Sequence, residues 1–178
     1  MPQANNMPQA NNMPQANNMT QANNMPQGNS MPQGNSMPQS NNWPNQSNPS
    51  AKMTDHGPSP FVTDINKATL YNNTFRTALW TGPHLQLTLM SIGVGEDIGL
   101  EVHPDVDQFL RIEQGQGLVQ MGDSRDHLYM RQHVFNDSAI FVPAGTWHNV
   151  TNRGNQPLKL YSIYAPPDHP HGTVEQTK

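Results

Sequence analysis

The chain has 178 residues, but its first 50 carry none of the 9 Lys+Arg, 13 Asp+Glu or 8 His, so the charge-bearing remainder is the size of one domain with one core. A net charge of −4 without a basic run argues against a nucleic-acid partner, and no apolar stretch approaches the roughly 18 residues of a membrane span. The absence of cysteine excludes a disulfide frame, a thiolate nucleophile and a Cys-based zinc site; the N-terminus lacks a signal-peptide pattern, which leaves the cytoplasm or a coat- or spore-like assembly as expected locations.

Residues 1–42 are seven hexapeptides of the MPQANN type, followed by a degenerate WPNQSN at 43–48. One Met per six residues is too little apolar surface to offset the entropy of ordering a repeat, so residues 1–50 are expected to be a disordered tail. Pro at the second position of six repeats removes a ladder N–H each time and works against fibres. The expected role is a neutral spacer or a contact with a protein assembly. A Cu(I) site on the regular methionines is disfavoured, because thioethers six residues apart in a loose chain chelate poorly.

Residues 51–178 form the expected domain. The segment INKATLYN at 65–72 reads as a short helix capped by Asp64. Strands are predicted at 75–81, 85–92, 98–103, 108–114, 117–121, 127–134, 139–142, 148–152 and 158–164, broken by turn signals such as Thr81-Gly82-Pro83 and Pro143-Ala144-Gly145. This spacing predicts an all-β barrel or sandwich. Strict alternation places Ile98, Leu100 and Val102 on one face of the 98–103 strand and Glu101 and His103 on the other. The apolar face then needs a cover, from N-terminal strands or a second subunit. The same parity turns Gln108, Leu110 and Ile112 inward, and Phe109, Arg111, Glu113 and Asp107 outward.

Two motifs carry the chemistry. Gly95-x5-Glu101-x-His103-x4-Gln108-x6-Gly115 resembles the first cupin motif, G-x5-H-x-H-x3,4-E-x6-G, and Asp137-x5-Pro143-x-Gly145-x2-His148-x3-Asn152 resembles the second, G-x5-P-x-G-x2-H-x3-N. The likeness covers roughly residues 90–165 and is closest to small single-domain, phosphomannose-isomerase-like cupins. It implies a double-stranded β-helix (jelly-roll) barrel, often a homodimer, with a divalent metal in the barrel mouth. Carried over position by position, the implied metal ligands are Glu101, His103, Gln108 and His148. Glu101 and Gln108 differ in type from the family's His and Glu, yet the carboxylate lost at one position returns at the other. Two imidazoles, a carboxylate and an amide oxygen suit Mn, Fe, Co, Ni or Zn. The alternative is that these are polar fillers of a metal-free barrel, which leaves a buried carboxylate uncompensated.

Arg76, Gln86, Arg111, Trp147 and Tyr164 are candidate pocket residues for an anionic or hydroxylated ligand; each has packing or surface pairing as its alternative. His169 and His171 are read as solvated after Pro166-Pro167. No G-x-S-x-G elbow, P-loop or dinucleotide fingerprint competes. The expected function is a metal-binding enzyme acting on a small polar metabolite, of isomerase or lyase type rather than dioxygenase. The alternative is a non-catalytic sugar- or metal-binding module, tethered by its tail to a coat or spore-like assembly.

Overall fold

The computed structural model describes residues 53–178; the repeat tail, and every expectation placed on it, lies outside the described residues. Nine strands and one short helix follow in order: α1 (Ile65–Tyr71), β1 (Arg76–Thr81), β2 (Gln86–Ile92), β3 (Asp107–Gln114), β4 (Gln116–Gly122), β5 (Met130–Phe135), β6 (Ala139–Val142), β7 (Trp147–Asn152), β8 (Leu158–Ala165) and β9 (Val174–Glu175). They form a six-stranded sheet, β6-β3-β8-β2-β1-β9, and a three-stranded sheet, β5-β4-β7. This is the expected all-β jelly roll. Between the sheets lie Met90, Ile92, Leu110, Ile112, Val119, Val150, Leu158 and Leu160, each at most 1 % exposed, and each such side chain contributes about 1.5–3 kcal/mol by leaving water.

Asp64 caps α1 as expected, its Oδ1 accepting from Lys67 N at 3.1 Å. The helix packs on the outer face of the large sheet, where Asn66 donates to Glu113 at 2.6 Å. α1 therefore lies against β8, β3 and β2, a surface distinct from the apolar face of the 98–103 segment for which a cover is expected. Residues 127–129 precede β5 because Ser124 and His127 close the β4–β5 hairpin with an isolated bridge. β9 has no sequence signature; two residues suffice when β1 offers an open edge.

The predicted strand at 98–103 is not regular. Its only ladder contacts are the bridges Asp97↔Thr151 and Glu101↔His148. Four steps along this segment therefore face three along β7, the count of a β-bulge. Gly99, at φ +94°, absorbs the extra residue, in a region that costs an L side chain backbone strain. The consequence reverses the parity expected for Ile98. Ile98 is 5 % exposed within the core, and Glu101, three residues on, also turns inward.

The other motif places a positive φ on a non-glycine residue. Asp137 stands where the motif has glycine and adopts φ +67°, a conformation Asp tolerates better than most residues.

Candidate metal centre

The bridge between Glu101 and His148 sets the geometry of the site. Glu101 N donates to His148 O at 3.0 Å, and His148 N donates to Glu101 O at 2.9 Å. Two residues further, His103 O accepts from Gly145 N at 2.7 Å, while Asp107 Oδ1 accepts from Ala144 N at 2.9 Å. The turn of the second motif is thereby fastened to the first, and Asp107 is committed to that turn.

The ligand atoms of Glu101, His103 and His148 lie within 4.8 Å of one another. Glu101 Oε1 is 3.4 Å from His103 Nε2 and 3.3 Å from His148 Nε2, within ion-pair reach but without hydrogen-bond geometry. All three atoms are buried and have no hydrogen-bond partner, an arrangement that costs about 1–3 kcal/mol per group unless a ligand satisfies it.

Their orientation fits a cation. His148 Nδ1 lies 3.0 Å from Thr146 O; a carbonyl can only accept, so Nδ1 carries the proton and Nε2 presents a lone pair. His103 Nδ1 lies 3.3 Å from Asp168 Oδ1, which favours the same tautomer. Two imidazole lone pairs and a carboxylate then converge, which is repulsive unless a positive charge stands between them. With no ion there, a proton on His103 takes that place: burial raises the Glu101 carboxyl, but His103 and His148 outweigh it and hold it at about 2. Glu101, with Asp168 behind it, raises His103 against the opposing effect of burial. Gln108 is 3 % exposed; its Nε2 donates to Ser162 Oγ at 2.9 Å, which leaves its Oε1 buried and unpartnered.

The candidate pocket residues divide. Gln108, Tyr164 and Gln86 lie side by side in register across β3, β8 and β2. Tyr164 is fully buried with its hydroxyl unpartnered, and its ring packs edge-on against His103 at 5.8 Å. Gln86 does not offer its amide to a ligand. Its Nε2 donates to His169 O at 2.8 Å and its Oε1 accepts from His169 N at 2.9 Å. Arg76 is buried and binds Glu175 Oε2 at 2.8 Å, with Nε left unpartnered. Arg111 is excluded from the site: on the outer face of β3, it pairs with Glu113 and Asp137, as alternation along that strand requires. Trp147 precedes His148 on β7 and takes the opposite face.

Asp168 and His169 join the site. Instead of lying solvated after Pro166-Pro167, the segment folds back over the barrel mouth, held by Gln86 at His169 and by Asp55 Oδ2 at Gly172 N, 3.0 Å. His169 packs edge-on against Tyr164 at 5.0 Å, and burial, with Arg76 near, lowers its pKa. His171 does remain at the surface, near Asp55 and Gly57. The signal for Asp168 and His169 is a pairing with Gln86 across 83 residues, which no local pattern encodes.

The cupin domain profile matches residues 88–164, a span that contains all four candidate ligands. YrkC of Bacillus subtilis (strain 168) is 71 % identical over 126 residues, 71 % of this chain and 68 % of that protein. L612 of Acanthamoeba polyphaga mimivirus is 43 % identical over 117 residues, 65 % of this chain and 71 % of that protein. The crystal structure of BH2720 from Bacillus halodurans superposes with a TM-score of 0.69 at 68 % identity, covering 70 % of this chain and 94 % of that one.

Proposed function

This chain belongs to the cupin domain family, and from that premise we propose that it is a metal-dependent enzyme acting on a small polar metabolite, by isomerase or lyase chemistry. The observation that carries the reading is the convergence of Glu101 Oε1, His103 Nε2 and His148 Nε2, buried, unpartnered and mutually within 4.8 Å. Gln108 Oε1 is the fourth ligand. The donor set suits Mn, Fe, Co, Ni or Zn.

A bound ion supplies Lewis acidity toward a carbonyl or carboxylate oxygen. The chain's own part is to hold Glu101 ionised, to fix both imidazole tautomers through Thr146 and Asp168, and to exclude water with the 166–172 segment. Isomerase or lyase chemistry is preferred over oxygenation because a Glu and a Gln occupy positions where oxygenating cupins usually carry other ligands.

The test is to strip the protein, reload it separately with each of the five ions, and follow hydroxy acids, keto acids and aldose or ketose sugars by proton NMR. Turnover that needs metal and disappears in Glu101→Ala is the expected result. Oxygen consumption by the Fe-loaded form would reverse the preference, and failure to retain any ion would remove the metal reading.

A further inference from the structure

A second group of buried polar atoms without hydrogen-bond partners adjoins the metal triad: Tyr164 Oη, Arg76 Nε and His169 Nε2, the last 3.6 Å from Asp168 Oδ2. Tyr164 stands at its centre, its ring edge-on to both His103 and His169. The Ser162 hydroxyl accepts from Gln108 Nε2 and lies near enough to the phenol to oppose the rise that burial gives its pKa, yet no bond of hydrogen-bond geometry joins the two. Arg76 gives Nη1 to Glu175 and keeps Nε free although the residue is only 7 % exposed. His169 cannot swing away without breaking the two-bond grip of Gln86 on its backbone. Two of these atoms are hydrogen-bond donors, and the imidazole nitrogen takes either role. A buried donor left unmatched is costly, so the wall is complete only with an acceptor in place.

We propose that Tyr164, His169 and Arg76 bind the carboxylate of a small organic acid beside the metal; this rests on the metal-centre reading above. Charge selects a carboxylate over a phosphate dianion. Inside the mouth, a divalent ion and Arg76 face Glu101 and Asp168, which leaves one positive charge, while Glu175 is 40 % exposed and screened by water. One monoanion neutralises that excess and a dianion overshoots it.

The experiment uses the full chain, stripped and Co(II)-loaded, with glycolate as probe and glycolamide and inorganic phosphate as comparisons, read by calorimetry and by the visible Co(II) spectrum. The expected result is glycolate binding to the loaded protein, at least tenfold weaker binding of glycolamide and of phosphate, and a glycolate-induced spectral change. Tyr164→Phe should weaken glycolate at least tenfold, leave Co(II) affinity unchanged, and leave the melting temperature of the stripped protein equal or higher, since only an unpartnered hydroxyl is lost. Co(II) uptake without glycolate binding, or equal binding by Tyr164→Phe, overturns the proposal and spares the metal centre. Absence of Co(II) uptake overturns the metal centre; the stripped protein then decides the carboxylate wall, which stands only if Tyr164-dependent glycolate binding persists there.

Discussion

Glu101 and His148 are joined twice: their main chains exchange two hydrogen bonds, and their side chains meet with Oε1 3.3 Å from Nε2. The backbone pairing aims both side chains into the barrel mouth whether or not a ligand is present. Loss of either side chain should therefore remove metal without removing the fold.

Glu101→Gln keeps the bridge and the shape but deletes the charge. Affinity for Co(II) or Zn(II), measured by chelator competition, should fall at least 100-fold, about 2.7 kcal/mol at about 1.4 kcal/mol per decade. The thermal midpoint of the stripped protein should fall at neutral pH, because a carboxyl held at about 2 is one whose ionised form adds stability to the native state. Undiminished affinity would show that Glu101 is not a ligand.

Asp168→Asn tests the outer support of the centre. Asp168 Oδ1, 3.3 Å from His103 Nδ1, favours the imidazole tautomer that leaves Nε2 free. Losing such a support typically costs about 10–100-fold in metal affinity. The expected result is a decrease of that order with an altered Co(II) absorption spectrum; an unchanged spectrum and affinity would make Asp168 a bystander.

Gly99→Ala tests the bulge. An added Cβ would meet only the Lys178 side chain, at 3.6 Å, so the cost lies in the backbone at φ +94°, about 1–2 kcal/mol. Denaturant unfolding should show that loss together with weakened metal binding, since the bulge turns Ile98 and Glu101 inward together. A stability equal to that of the parent protein would remove the bulge from the account.

The two motifs were legible because their spacing encodes the turn and the strand parity that bring His103, Gln108 and His148 to one mouth. The route of the 97–101 segment was not, since alternation assumes a regular strand and a single Gly99 cancels it. The 166–172 cover was illegible for a different reason. Its position depends on Gln86 and Asp55, each more than 80 residues away, and a Pro-Pro pair followed by polar residues carries no local sign of docking. Arg111 could have been set aside from parity alone.

Asp55 predicts the acid limit of that cover. Its carboxylate accepts from Gly57 N, Thr81 N, Thr81 Oγ1 and Gly172 N at 2.6–3.0 Å. Burial opposes ionisation, but Thr81, Gly172, Gly57 and the neighbouring His171 outweigh it and lower the pKa. A lowered native pKa adds stability that is complete above the unfolded value of about 4 and disappears as pH falls through the native value. Asp55→Asn should cost roughly 2–3 kcal/mol at pH 7, and the gap to the parent protein should close below about pH 4. A gap independent of pH would assign the loss to packing.

The most direct measurement is elemental analysis of the stripped and reloaded full-length protein beside its His103→Ala/His148→Ala variant, after exhaustive dialysis. About one divalent ion per chain in the parent and less than about a tenth of that in the variant is the expected outcome, given at least two decades of lost affinity. Equal metal content in the two proteins would contradict the centre built from Glu101, His103 and His148.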